Sequence, residues 1–99
     1  MPTNKDREFI QYLLQSTQDG KLRWESTATT NEFVTAIKGK YKVSVRLLGG
    51  THVITMADLD DRELLTVISD DYAPVSDLFD SARRVALDVD SAIDEILKG

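Results

Sequence analysis

Five short runs rich in β-branched and aromatic residues follow one another between Leu22 and Ser69, and only turn-length connectors separate them. The runs are Leu22 to Ala28, Phe33 to Lys38, Tyr41 to Leu48, His52 to Ala57 and Leu64 to Ser69. Thr29-Thr30-Asn31, Gly39-Lys40, Gly49-Gly50 and Asp58-Leu59-Asp60-Asp61-Arg62 join them. A parallel pair of strands needs a crossover of a dozen or more residues, usually a helix, and none of these connectors can hold one. All of them suit hairpins, so the segment is expected to form an antiparallel meander of four or five strands.

Side chains alternate between the two faces of a strand, which turns the third run into a statement about burial. Tyr41, Val43, Val45 and Leu47 share one face, and Lys42, Ser44 and Arg46 share the other. The same parity sets Leu22 and Trp24 against Arg23, Glu25 and Thr27, and Ile54 and Met56 against Thr51 and Thr55. One face of the sheet should therefore be apolar and the other polar. The second and fifth runs are apolar on both parities, through Phe33, Val34, Ala36 and Ile37 and through Leu64, Leu65, Val67 and Ile68. Such strands are either covered on both sides or offer an apolar strip to a partner.

Helical spacing flanks this segment on both sides. Phe9, Ile10, Leu13 and Leu14 predict a first helix over about residues 5–18, capped by Thr3 or Asn4, with acidic residues in its first turn and Gly20 as its stop. Beyond Asp70-Asp71-Tyr72, Pro74 suits a first helical turn, and Val75, Leu78, Phe79, Ala82, Val85 and Ala86 form an apolar stripe along about residues 74–87. Asp88-Val89-Asp90 offers a second cap, after which Ala92, Ile93, Ile96 and Leu97 continue as a short last helix. The expected architecture is a single α+β domain over residues 1–99, of order α-β-β-β-β-β-α-α. Its N-terminal helix and C-terminal helix pair should pack on one sheet face around Trp24, Tyr41, Val43, Val45 and Phe79.

With 99 residues, one core fits and a second does not. The absence of cysteine excludes disulfides, thiolate metal sites and a cysteine nucleophile, and one histidine excludes multi-histidine zinc centres. A formal charge of −5 disfavours generic binding to nucleic acid or anionic membranes. That charge is unevenly spread: residues 21–50 carry six basic and two acidic side chains, net +4, and residues 51–99 carry four basic and twelve acidic, net −8. The two segments are complementary, which suits mutual neutralisation within the fold or steering of a partner. No apolar run approaches the roughly 20 residues of a membrane span, and the opening residues lack the apolar stretch of a secretory signal, so the expected address is the cytoplasm.

Few residues invite chemistry. Asp58, Asp60, Asp61 and Glu63 are the densest carboxylate cluster, the kind that holds calcium or magnesium. A calcium loop starting at Asp58 would need Gly at its sixth position and Glu at its twelfth, where Glu63 and Ser69 stand, and Arg62 already offers compensation. His52 needs an acid or nucleophile brought alongside before it can act as a base, and no serine lies in a nucleophile elbow. Gly39 and Gly49-Gly50 precede hairpins and not helix N-termini, so no phosphate loop is present. Arg23, Lys38, Lys40, Lys42 and Arg46 form a candidate interaction surface on the polar face, though without the exposed aromatics that stack on bases.

The strings Leu22-x-Trp24-Glu25-x-Thr27, Phe33-x-x-Ala36-Ile37 and Tyr41-x-Val43-x-Val45 resemble small bacterial α+β domains of unknown function, as does the closing Leu78-Phe79-x-x-Ala82-Arg83 to Ile96-Leu97 pattern. These are core and capping positions, so the resemblance implies a fold and a bacterial setting and carries no active site. The sequence favours a non-enzymatic protein-interaction or assembly module, needing no cofactor, that pairs with a protein partner or with itself as a homodimer through an edge strand or the two-sided apolar strands. Two other classes stay open: a ligand- or nucleic-acid-binding regulator using the lysine-rich face, and a metal-dependent hydrolase pairing His52 with Asp58 or Asp60.

Overall fold

The computed structural model describes residues 2–99. Among these the chain forms a helix α1 (Asn4–Gln18), strands β1 (Glu25–Ser26), β2 (Glu32–Ile37), β3 (Tyr41–Leu48), β4 (Thr51–Asp58) and β5 (Glu63–Ile68), and helices α2 (Pro74–Ala86) and α3 (Val89–Leu97). The strands pair antiparallel in the order β1-β2-β3-β4-β5, so the short connectors do produce the expected meander within an α+β fold.

Local chemistry sets the element ends. Asp6 N–H donates to Thr3 Oγ1 while Thr3 N–H donates to Asp6 Oδ2, a reciprocal capping box that opens α1. At the other end Gly20 takes φ 75°, and its N–H and that of Lys21 reach back to the Thr17 and Ser16 carbonyls. Gly49 and Gly50, at φ 55° and 85°, make the two-residue left-handed turn that lets Leu48 pair with Thr51.

The register defines the apolar face as rows across the sheet. Phe33, Val45, Ile54 and Val67 form one row, and Thr35, Val43, Met56 and Leu65 form the next. Helices α1 and α2 cover this face, and Ile10, Leu13, Val75, Leu78 and Phe79 join the strand residues in one buried cluster. Phe79 stacks at a tilt on Phe33, with ring centroids 5.6 Å apart. Trp24 is buried beside them and donates its indole N–H to Thr17 Oγ1 at 2.9 Å, while that hydroxyl donates to the Leu13 carbonyl.

Four particulars differ from the sequence expectation. The first run yields only two strand residues, because the N–H groups of Lys21 and Leu22 bond the end of α1 and the Arg23 carbonyl accepts from the Thr35 side chain. Tyr41 points to the apolar face yet is 37% exposed and lies outside the core. A bulge in the β4–β5 pairing, where Met56 faces Leu65 and Ala57 faces Glu63, leaves Leu64 as an extra residue on β5. Finally, α3 buries none of its side chains: it follows α2 through the left-handed Asp88, whose side chain makes no cap, and is tied back by an Arg84–Asp90 ion pair.

Candidate functional site

His52 sits at the start of β4 on the apolar face. Its Nδ1 lies 2.9 Å from Ser76 Oγ on α2, its ring is 4.6 Å from that of Phe79, and its backbone exchanges hydrogen bonds with Ser69. These contacts stitch the end of the sheet to the first turn of α2. Asp58 stands six residues further along the same strand, about 20 Å away at the usual rise per residue, so His52 does not meet Asp58 or Asp60. Neither His52 nor Ser76 lines any of the five principal concavities of the described surface.

The carboxylate-rich turn is occupied with its own backbone. Asp58 Oδ1 accepts from the N–H groups of Asp60 and Arg62, and Oδ2 accepts from Arg62 Nε at 2.8 Å. The Arg62 amide foremost, then its guanidinium and the Asp60 amide, hold the Asp58 carboxyl below its ordinary 3.8 against the opposing effect of partial burial. Asp61 adopts φ 61°, which closes the three-residue turn, and no group of three or more His, Asp or Glu side chains that could hold a metal ion occurs among the described residues.

Acidic side chains are interleaved with the candidate basic surface. Lys42 and Arg46 share the polar face of β3, but Arg46 Nη1 lies 3.9 Å from Glu32 on β2, and Glu63 stands in the same cross-strand row as Lys42. Lys38 and Lys40 belong to the β2–β3 turn at one end of the sheet, while Arg23, ahead of β1, lines one concavity with Lys21, Glu25 and Lys42.

The principal concavity lies elsewhere. Where the N-terminal half of α1 passes over the end of the sheet that holds the β2–β3 turn, a groove of about 510 Å³ opens. Phe9 and Tyr12 of α1 form one wall, and Ile37, Tyr41, Met56 and Leu65 form the floor and the opposite wall. Leu64, displaced outward by the bulge and 48% exposed, closes one side. Polar lining is confined to Lys5, Lys38 and Asp6, and the Asp6 carboxylate is committed to capping α1. Apolar lining with a few polar groups at the margin is the usual constitution of a binding groove.

Sequence reasoning assigned Tyr41 to the core and passed over Tyr12. A signal for the latter was present: at about 100° per residue, Phe9, Ile10, Tyr12, Leu13 and Leu14 span an apolar arc of roughly 200°, wider than one covered face requires. Lys38 stands out only in the structure. It holds φ 55° immediately before Gly39, at a turn position where Asn or Gly fits more easily, so the chain keeps a strained lysine at the rim of the groove.

Among the described residues no helix is long and apolar enough to cross a membrane. No family model matches the chain, no curated protein matches its sequence, and no solved structure matches it.

Proposed function

We propose that this protein is a non-enzymatic interaction module whose groove between α1 and the β2–β3 end of the sheet receives the apolar side of a partner's amphipathic helix. The observation that carries this reading is the set of large side chains left open between α1 and the apolar sheet face: Tyr12 of α1 is 55% exposed and Tyr41 of β3 37%, beside Leu64 and the partly covered Phe9 and Met56. Docking would recover roughly 25 cal/mol for each Å² of apolar area that these side chains still expose. A helix with anchors at i, i+3 and i+4 fits an open groove of this kind, and acidic residues beside the anchors would meet Lys5 and Lys38.

A displayed library of amphipathic helical peptides, selected in parallel on the wild-type chain and on Leu64→Asp, tests the proposal. Enrichment of peptides with apolar anchors at helical spacing that bind wild type and lose binding to Leu64→Asp supports it. Selected peptides that bind both proteins equally, or a library that yields no binder, would contradict it.

A further inference from the structure

Within this reading, α3 poses the opposite problem to the groove. Its nine residues place Ile93, Ile96 and Leu97 on one side and Asp90, Asp94 and Glu95 around the other, and no side chain of the helix is buried. Ile96 and Leu97 are 76% and 78% exposed. Isolated helices shorter than about 12–15 residues are marginal in water, so this one needs a surface for its apolar side.

The described residues do not supply that surface. The α2–α3 junction, through Ala86 and Asp88, shares a concavity with Gly20 and Trp24 at the C-terminal end of α1, whereas the groove is built on Lys5, Phe9 and Tyr12 at the other end. At 1.5 Å per residue, Gly20 lies roughly 17 Å along α1 from Phe9, and α3 is only roughly 14 Å long and held at its start by the Arg84–Asp90 pair.

We infer that the helix received by the groove is α3 of a second copy of this chain. The anchors Ile93, Ile96 and Leu97 have the i, i+3, i+4 spacing that the groove calls for, and Asp94 and Glu95 would face Lys5 and Lys38 at its rim. The groove and the start of α3 lie toward opposite ends of α1, in a molecule of 47 × 28 × 25 Å. Two copies side by side in opposite directions therefore exchange α3 reciprocally and form a closed pair. Specific stable pairs bury upward of about 1,200 Å² in total, and reciprocal exchange doubles what a single seated helix contributes.

Sedimentation velocity on the full chain up to high micromolar concentration tests this inference. Wild type is expected to self-associate. The double variant Ile96→Asp/Leu97→Asp and the groove variant Leu64→Asp change only exposed side chains, and each should keep the wild-type circular dichroism while weakening association by at least about tenfold. A charge-reversed pair adds a readout that a structural defect would not give. Lys5→Glu/Lys38→Glu and Asp94→Lys/Glu95→Lys should each associate less than wild type alone, and should associate with one another when mixed. A monomeric wild type, an α3 variant that associates as well as wild type, or reversed-charge proteins that ignore each other when mixed would overturn the inference. If peptides selected on the groove still require Leu64 in that event, the groove remains a docking site and only its occupant is wrong. If they do not, both readings fall.

Discussion

The two ends of one sheet face are built from the same strands and the same parity, yet they have opposite fates. At the end under α2, Phe33, Val45, Ile54 and Val67 meet Phe79 and vanish from solvent. At the other end Tyr41 and Ile37 follow in the same alternation, but α1 stands off from them, with Phe9 and Tyr12 as one wall, and a groove remains. Alternation decides which way a side chain points; the reach of the covering helices decides whether it becomes core. One end thus stabilises the fold, and the other is held open by it.

Substitutions at the two ends should behave differently. Ile54→Ala, at a fully buried site, is expected to lower unfolding stability by about 2–5 kcal/mol in denaturant titration, because the cavity adds to the lost transfer energy. A much smaller loss would mean that the closed end is loosely packed. Lys38→Asn should act in the reverse direction, raising stability by roughly 0.5–1 kcal/mol through relief of the left-handed lysine, while weakening association at the groove. Stability and association moving together would break the assignment of Lys38 to the open end.

A third effect concerns acid. The folded pKa of Asp58 is lowered, so its contribution is complete above the ordinary value of 3.8 and fades as pH falls from there toward the folded value. In urea melts across an acidic pH series, the stability difference between wild type and Asp58→Ala should accordingly shrink below about pH 4. A difference that stays constant would remove the charged turn from the account. The smallest effect is expected at Leu64→Ser, within about 0.5 kcal/mol of wild type in the same melts, since that side chain stands on the bulge and not in the core.

Much of this was legible beforehand, for identifiable reasons. The meander followed from connectors too short to cross over, and α1 and α2 from apolar spacing with Thr3 and Pro74 at their starts. The role of His52 as a structural tie was consistent with its isolation from any acid, although its partner Ser76 comes from another element and no local pattern reveals it. The groove was not legible. It depends on three non-local facts: how far α1 overhangs the sheet, where β5 slips by one residue at Leu64, and which of two apolar parities wins there. The unburied side of α3 escaped for the same reason, since a helical stripe records amphipathicity without recording what lies opposite it.

The most direct test is an isotope-filtered NOE experiment on an equimolar mixture of labelled and unlabelled copies of the 99-residue chain. The account predicts intermolecular cross-peaks joining the methyl groups of Ile96 and Leu97 in one copy to Met56, Leu64 and Leu65 in the other. Spectra free of intermolecular cross-peaks, with α3 resonances that do not shift as the protein is concentrated, would contradict it.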